Sequence, residues 1–339
     1  MNARALGFGL VALLALAAGA AEAQEKTGTT VGTFLTLEPN ARIAAMGNAG
    51  AAADLGLEAY FFNPAAIARA TRHEVSFSHM RWIADIDYNH VAASFPAGRA
   101  GALVASITSL NSGAIDVRTV SKPMGTGETF DVADVALALG WARPITDRFA
   151  VGARITYLQE RIWHTSLSSG VVDLGTIYRV NDNGLVLGAA LTNLGVGGHY
   201  DGRDLSVTFD QDPNSSGDNG TIPATIFTDK FGVPITLRFG LALPVRLNAT
   251  SRLRLAVDAL HPSDNSESMN LGAEYAYKKA FALRAGWQQL FLRDSEAGLT
   301  LGAGFQGEMN NALGFHLDYA YSDQGRLDQA HRFSVGIDF

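Results

Sequence analysis

The chain has 339 residues, with 26 Lys and Arg against 33 Asp and Glu, a formal net charge of −7, and no cysteine. The negative charge argues against a nucleic-acid partner, and the lack of cysteine excludes disulfides, thiol catalysis and cysteine-bound metals. Charged residues make up only 17% of the chain and 36 residues are glycine. This composition leaves open either two ordinary soluble domains or one large barrel.

Residues 1–23 have the features of a secretory signal peptide. Arg4 supplies the positive start, residues 5–20 are apolar, and Ala21-Glu22-Ala23 forms an A-x-A cleavage site. The apolar run is shorter than the ~20 residues of a typical membrane helix, and no later run approaches that length. We therefore expect an exported protein. If it enters a membrane it must do so as a closed barrel, because only helices and closed barrels satisfy every backbone polar group in lipid.

Residues 24–72 form a small, nearly uncharged segment with helix signals. Asn40 is a good N-cap for a first short helix, and Gly47 can end it in the left-handed conformation. Asn63 followed by Pro64 is a typical start for a second helix. The stretch between them is almost entirely Gly and Ala, which allows close packing against other backbone inside a crowded barrel.

Residues 73–339 alternate apolar and polar side chains in segments of about ten residues, which is the pattern of transmembrane β-strands. Leu313, Phe315 and Leu317 would face lipid, for example, whereas His316 and Asp318 would face the lumen. The pattern predicts an all-β, 14-stranded antiparallel barrel in the bacterial outer membrane. The predicted strands are 73–82, 86–95, 100–108, 129–142, 148–161, 166–180, 184–194, 233–243, 251–260, 267–277, 280–289, 297–306, 312–321 and 329–339.

The predicted connectors alternate in length. Short turns such as 96–99 and 144–147 fall at one end, and longer connectors such as 109–128 and 195–232 fall at the other, as in bacterial barrels. A soluble β-sandwich would also contain alternating strands, but it would not require export, an aromatic terminus and this alternation together. The alternation therefore favours the barrel.

The last strand resembles the signal that the outer-membrane insertion machinery reads. Its apolar side chains alternate up to an aromatic end at Phe333, Val335, Ile337 and Phe339. We expect these residues to direct assembly.

The N-terminal segment contains four short motifs: Phe34-Leu35, Ala41-Arg42, Met46-Gly47 and Asn63-Pro64-Ala65. In these motifs it resembles the N-terminal signature of the PorV/PorQ family. The rest of the chain resembles that family only in architecture, a fourteen-stranded barrel of the long-chain fatty acid transporter type. That larger family also has an Asn-Pro-Ala in its N-terminal hatch, and the spacing of the Ala-Arg and Met-Gly pairs favours PorV/PorQ. The resemblance implies that residues 24–72 form a hatch within or beneath the barrel.

The resemblance implies two functions, and both stay open. PorV-like proteins belong to the type IX secretion pathway, where the barrel holds the C-terminal signal domain of secreted cargo, so secretion components would be partners. Fatty acid transporter-like barrels instead take up hydrophobic small molecules, which would be ligands in the lumen. Outer-membrane lipid is a partner in either case.

The longest connector, 195–232, is the predicted partner site, because loops carry binding functions while the wall is constrained by lipid and packing. Its apolar residues Ile226, Phe227 and Phe231 would form either a lid over the barrel or a patch that a partner covers. Four residues, Asp210, Asp212, Asn214 and Asp218, have calcium-loop-like spacing. However, Ser215 and Thr221 replace the required Gly and Glu, which favours a solvated acidic loop.

No catalytic, metal or cofactor motif is present, and the sequence predicts a protein that is not an enzyme. Gly302–Gly307 formally matches G-x-G-x-x-G but ends a strand and opens no helix, so no dinucleotide cofactor is expected. Charged residues are predicted to face the lumen at Arg154, Arg238, Arg254, Arg284, Arg332, Asp258, Glu274, Asp318 and Asp338. Such groups need partners or water, and they would serve either a supporting network or a charged substrate path.

Overall fold

The computed structural model describes residues 28–181, 184–210, 212, 214, 221–309 and 313–339, and the predicted signal peptide lies outside this part of the chain. Fourteen long strands follow one another along the sequence. They are β1 Glu74–Arg81, β2 Asp87–Pro96, β3 Ala102–Asn111, β4 Val132–Pro144, β5 Phe149–Ile162, β6 Thr165–Arg179, β7 Val186–Val196, β8 Thr236–Arg246, β9 Ser251–Pro262, β10 Ser268–Tyr277, β11 Phe281–Leu290, β12 Leu299–Met309, β13 Leu313–Asp323 and β14 Gln329–Asp338.

The strands close into one antiparallel barrel in which each strand pairs with its neighbours in sequence. β1 also pairs with β14, from Glu74 opposite Asp338 to Arg81 opposite His331. This pairing leaves the barrel wall without a free edge, so its backbone hydrogen bonds are satisfied internally. Each predicted strand overlaps one observed strand, and the predicted 14-stranded barrel is confirmed.

The wall has two chemically different faces, as β14 illustrates. Arg332 and Ser334 point into the lumen and are 0% and 1% exposed, whereas Phe333 and Val335 point outward and are 54% and 41% exposed. Successive side chains of a strand lie on opposite faces, so a shift of one residue would place Arg332 in hydrocarbon. The alternation therefore fixes the register of the strands.

The connectors distinguish the two ends of the barrel. At the end that holds His73 and Phe339, the turns are short: 97–101, 145–148, 247–250 and 278–280. We call this the turn end, and it is the periplasmic side because bacterial barrels have short periplasmic turns. The opposite, loop end carries the long connectors 112–131 and 197–235.

The predicted separation of connectors by length is incomplete. β5 and β6 meet at the loop end in a two-residue hairpin, Trp163–His164. Trp163 has a φ of 53°, and positive φ at the centre of a two-residue hairpin matches the twist of the flanking strands. Short connectors therefore occur at both ends.

Four short helical turns lie in the N-terminal segment, by which we mean residues 28–72. They are Thr33–Thr36, Ala41–Ala44, Gly56–Ala59 and Pro64–Ile67, of which Ala41–Ala44 is α-helical and the others are 3-10 helices. The second and fourth begin where Asn40 and Asn63 predicted helix starts. Within the described residues, none of the helices has the length and apolar character of a membrane-crossing helix.

The N-terminal segment runs across the lumen. Ala41–Ala44 packs against β12, β13 and β14, whereas Pro64–Ile67 packs against β4, β5 and β6. These two groups of strands lie on opposite sides of a ring of fourteen. The segment is therefore enclosed by the barrel and packs against its lumen-facing side chains.

Glycines in the wall make room for the segment. A Cβ at Gly286 would lie 2.2 Å from the backbone N of Gly47, and a Cβ at Gly152 would lie 2.4 Å from the carbonyl carbon of Pro64. Gly47 itself has a φ of 63°, and a Cβ there would lie 2.3 Å from the Leu271 carbonyl oxygen. Side chains at these positions would push the segment away from the wall, which gives part of the high glycine content a structural role.

Candidate functional site

Asn63 connects distant parts of the N-terminal segment to the wall. Its Oδ1 accepts a hydrogen bond from the N–H of Ala65 at 3.0 Å and so caps the helix that begins at Pro64. Its Nδ2 donates to the carbonyls of Ala51 at 2.7 Å and Thr176 at 3.0 Å. One fully buried side chain thus fixes two stretches of the segment and strand β6.

The other motif residues fit the segment against the opposite wall. Ala41 and Met46 are fully buried, and the N–H of Ala41 donates to Ser334 Oγ at 2.9 Å. The N–H of Gly47 donates to Thr300 Oγ1 at 3.0 Å. Together with Asn63, these contacts explain why the motifs combine small residues with an asparagine cap.

Arg42, a further motif residue, belongs to a group of charged and titratable side chains that we call the charged cluster. Its members are Arg42, Glu58, Arg254, Glu274, Arg284, His316 and Asp318. Arg42 Nη1 lies 2.6 Å from Glu58 Oε2, and Arg42 Nε donates to Glu274 Oε2 at 2.7 Å. Arg284 extends this series of ion pairs by donating to Glu274 Oε2 at 2.8 Å and to Asp318 Oδ1 at 2.6 Å. The cluster links the segment to β10, β11 and β13.

The environment of Glu58 keeps its carboxylate ionised. Burial alone would raise the pKa of Glu58, but the positive charge of Arg42 outweighs that effect and lowers the pKa below its ordinary value. The segment is therefore held here by charge pairs as well as by packing.

The three acidic residues of the segment each have an arginine partner. Glu38 Oε1 lies 2.5 Å from Arg332 Nη2, Asp54 pairs with Arg179, and Glu58 pairs with Arg42. Sequence reasoning missed these partnerships. The available signal was the isolation of three carboxylates in an otherwise nearly uncharged segment.

The charged residues predicted to face the lumen do so, although they are held in different ways. Arg154 pairs with Asp173, a buried residue that the sequence did not single out. Asp258 Oδ2 accepts a hydrogen bond from the N–H of Ala51 at 2.8 Å. The Arg238 guanidinium lies 5.5 Å from the centre of the Phe62 ring. Most of these groups therefore contact the N-terminal segment or support the wall.

Toward the loop end the lumen contains an apolar region. Phe34 and Leu35 are 2% and 7% exposed and insert into what we call the apolar chamber. The chamber is lined by Met80, Tyr88, Leu110, Ala136, Leu158, Leu167 and Val171. The Tyr88 hydroxyl donates to the Leu37 carbonyl at 3.0 Å, so even the polar end of this ring is satisfied by the segment.

The longest outer connector closes the apolar chamber from above. The N–H of Val31 donates to the Gly232 carbonyl at 2.9 Å. Glu160 accepts hydrogen bonds from the N–H of Gly32 at 2.6 Å and from the Tyr200 hydroxyl at 2.8 Å. The chamber is thus sealed by contacts between the segment, β5 and the connector 197–235.

The three predicted outer-loop residues lie in different environments. Ile226 and Phe227 are 50% and 84% exposed. Phe231 packs against the chamber, with its ring centre 6.2 Å from that of Tyr200. Residues 211, 213 and 215–220, which include part of the calcium-loop-like stretch, lie outside the described residues. The structure therefore separates two outward-facing residues from one that packs inward against the chamber.

A cavity of about 820 Å³ opens beside the charged cluster near the turn end. Arg42, Glu274, Arg284, His316 and Asp318 line its inner part. Five further basic residues lie around it: Arg246, Arg252, Arg254, Lys278 and Lys279. The two ends of the lumen thus differ in both polarity and packing.

The predicted assembly residues occupy the last strand and its end. Phe333, Val335 and Ile337 lie on the outward face and are 54%, 41% and 42% exposed. The N–H of Phe339 donates to the His73 carbonyl at 2.9 Å, and the two rings stack with centres 5.7 Å apart. Their recognition by the insertion machinery stays a prediction.

The closed fourteen-stranded barrel with an enclosed N-terminal segment defines a bacterial outer-membrane protein. Its fold is similar to that of FadL-family outer-membrane transporters. The toluene transporter TodX of Pseudomonas putida is 14% identical with a TM-score of 0.56, and TbuX of Ralstonia pickettii is 14% identical with a TM-score of 0.54. A Pseudomonas aeruginosa FadL homologue is 13% identical with a TM-score of 0.50. In each case 89% of this chain and 98% of the other are covered.

Comparisons with protein-family models and with curated protein sequences give no match. At identities of 13–14%, the structural similarity establishes the fold alone. This similarity agrees with the resemblance to barrels of the long-chain fatty acid transporter type. It does not show the PorV/PorQ assignment.

Proposed function

We propose that this protein is an outer-membrane channel for the uptake of hydrophobic small molecules. The observation that carries the proposal is the apolar chamber, which is filled by Phe34 and Leu35. Barrels that conduct polar solutes have polar, water-filled interiors, and an apolar chamber offers no compensation for the hydration that such solutes would lose. The names of the compared transporters point to the same class of ligand.

In this proposal residues 24–72 act as a hatch. Phe34 and Leu35 occupy the space that a hydrophobic ligand would take, so a ligand entering from the loop end would compete with them for the same apolar surface. Burying a side chain of this size stabilises by ~1.5–3 kcal/mol, an amount that a small hydrophobic ligand can replace. Entry would then displace residues 31–35 and open a path toward the cavity at the turn end.

The proposal is tested by filling the chamber from the wall. Ala136 is 3% exposed and lines the chamber, whereas its neighbour Leu137 is 47% exposed on the lipid face. We expect Ala136→Trp to reduce the uptake of radiolabelled toluene and dodecanoate to the level of cells without the channel. Leu137→Trp is the matched control and should retain wild-type uptake.

Heat-modifiable migration of both variants would establish that the barrel is assembled. Wild-type protein that gives no more uptake of either probe than an empty vector would overturn the proposal. Equal uptake by Ala136→Trp and wild type would show that ligands do not pass through the chamber.

A second candidate is the binding of secreted cargo in a type IX-like pathway. The observation that favours it is the exposure of Ile226 and Phe227, since apolar side chains on an outer loop form a surface that a partner can cover. Co-purification from mild detergent separates the candidates, because cargo domains or secretion components support this one and bound hydrophobic molecules support the first.

The two roles assigned to the outer connector can also be separated. Ile226→Ser with Phe227→Ser should abolish cargo capture and leave the chamber closed. Phe231→Ser should loosen the lid without removing the exposed surface. If both variants capture cargo at wild-type yield, the cargo site lies elsewhere, and the hatch around Asn63 is the next position to test.

A further inference from the structure

Three side-chain atoms of metal-binding type converge where the N-terminal segment meets β13. They come from Glu58, His316 and Asp318, one atom from each residue, and all three lie within 4.8 Å of one another. Glu58 Oε1 and His316 Nε2 are 3.8 Å apart. Glu58 comes from the segment and the other two residues from the wall, so distant parts of the chain supply the group.

Each of the three residues has one buried polar atom without a hydrogen-bond partner among the described residues: Glu58 Oε1, His316 Nε2 and Asp318 Oδ2. Glu58 and Asp318 are only 7% and 6% exposed, and a buried carboxylate oxygen without a partner is costly. Each carboxylate is nevertheless held in place through its other oxygen. Arg42 binds Glu58 Oε2 and Arg284 binds Asp318 Oδ1, each at 2.6 Å.

The imidazole of His316 has a defined position as well. It lies over Gly336 of β14, where an added Cβ would come within 2.0 Å of His316 Cε1. The missing side chain at residue 336 makes space for the ring. All three groups are thus held by neighbours that leave one ligating atom of each unused.

We propose that Glu58, His316 and Asp318 bind a divalent transition-metal ion, with Zn²⁺ as the best chemical match. Zn²⁺ is bound by imidazole nitrogen and carboxylate oxygen at ~2.0–2.2 Å. A triangle with sides of 4.8 Å or less requires each atom to move inward by at most about 0.7 Å to reach that distance. An imidazole ligand disfavours Ca²⁺ and Mg²⁺, which prefer oxygen ligands.

The surroundings determine how such an ion would be held. Arg42, Arg254 and Arg284 are balanced by Glu58, Glu274 and Asp318, so a divalent ion adds two positive charges to a neutral cluster. His316 and Asp318 also line the 820 Å³ cavity, which lets water or an anion complete the coordination. We therefore expect an exchangeable ion that chelators remove, rather than the closed site of a structural zinc.

The ion would fasten the segment to the wall, because its ligands come from both. This consequence is independent of whether the channel takes up hydrophobic molecules. A ligand that binds only the folded state raises its stability, so Zn²⁺ should raise the unfolding midpoint.

The test uses the full chain in detergent, treated with EDTA and then dialysed against Zn²⁺ alone, with bound metal measured by mass spectrometry. We expect one Zn²⁺ per chain and a higher urea midpoint when Zn²⁺ is present. Glu58→Gln, His316→Gln and Asp318→Asn should each weaken binding at least tenfold and remove the shift in midpoint. Glu38→Gln and His90→Gln change the same residue types elsewhere in the lumen and should bind as wild type does.

Three results would overturn the proposal: no saturable binding by the wild type, unchanged binding in the three cluster variants, or equal loss in the two controls. Unchanged binding would mean an adventitious ion only, held by histidines elsewhere. If Asp318→Asn or His316→Gln fails to form a barrel, Glu58→Gln decides, since it changes the segment and leaves the wall intact.

Discussion

The two halves of the lumen hold the same N-terminal segment by different physical means. At the loop end the Phe34 and Leu35 side chains are buried by apolar contacts, which any hydrophobic molecule of suitable size can replace, and the Glu38–Arg332 ion pair holds the segment just beyond them. Toward the turn end Arg42 and Glu58 are held by ion pairs and directional hydrogen bonds, which such a molecule cannot replace. In the proposed uptake function, residues 31–35 would therefore move while the part of the segment around Arg42 and Glu58 stays anchored.

The largest effect is expected from breaking the anchored half. Arg284 is 6% exposed and pairs with both Glu274 and Asp318. Arg284→Met leaves the buried Asp318 carboxylate without its arginine and removes one of the three arginines around Glu274, and breaking a buried pair in this way costs ~3–5 kcal/mol. Urea unfolding in lipid vesicles should show this decrease.

The control for this prediction is Arg326→Met, which removes a charge from an exposed pair in the outer loops and should leave the unfolding midpoint nearly unchanged. Equal midpoints for the two variants would mean that the charged cluster does not anchor the segment.

A cavity in the apolar half should cost less. Leu158 is fully buried in the chamber, and Leu→Ala substitutions in cores cost ~2–5 kcal/mol. For Leu158→Ala we expect a loss of unfolding free energy near the lower limit of this range. Phe34 and Leu35 belong to a separate segment that can shift into the cavity left by the leucine side chain. Leu139→Ala, on the lipid face, is the matched control and should cost much less.

The same variant also tests which half moves. Leu158→Ala enlarges the chamber, so uptake of hydrophobic probes should be retained or increased despite the lower stability. A loss of uptake in a correctly assembled Leu158→Ala protein would argue against displacement of residues 31–35 as the opening step.

The two asparagine caps should differ in importance. Asn40 caps its helix through Oδ1 alone, accepting from Arg42 and Ile43, and removal of such a cap costs ~0.5–2 kcal/mol. Asn63→Ala would in addition remove the buried Nδ2 donor from the carbonyls of Ala51 and Thr176, for a total of ~1–3 kcal/mol. The unfolding midpoints of Asn40→Ala and Asn63→Ala compare these two costs. A larger decrease in midpoint for Asn40→Ala would contradict the connecting role of Asn63.

Sequence reasoning was most successful where the determining interactions are local. A strand alternates faces with a period of two whatever its partner, so the register of residues such as Phe333 and Arg332 was readable. The caps at Asn40 and Asn63 depend only on the next few residues. The pairing of Glu38 with Arg332, by contrast, joins residues 294 positions apart, and it exists only because the barrel closes around the segment.

The same limit applies to the candidate site. Ile226, Phe227 and Phe231 read as one apolar run, but Phe231 faces inward because it meets Tyr200 and the chamber. The convergence of Glu58, His316 and Asp318 also requires the closed barrel. Both features depend on three-dimensional neighbours for which the sequence carries no local signal.

The smallest effect concerns charge pairing outside the lumen, between two outer loops. Glu296 accepts hydrogen bonds from Arg326 Nε at 2.5 Å and from the Arg326 N–H at 2.8 Å. These bonds lower the pKa of Glu296. Their contribution to the stability of the two loops is therefore present above the ordinary glutamate pKa of ~4.3, and it is lost as the pH falls through the lowered pKa. We expect acidification below that range to increase hydrogen exchange, corrected for intrinsic rates, in residues 292–298 and 325–328.

Glu296→Gln at neutral pH should loosen the same two loops to a similar degree. The unfolding midpoint of the barrel should stay the same in both experiments, because exposed pairs contribute little to global stability. A fall in midpoint comparable to that of Arg284→Met would break the contrast between lumen and loops, since it would make charge pairing equally important wherever it occurs. Unchanged exchange in both loops would instead show that Glu296 and Arg326 are paired too weakly to hold them together.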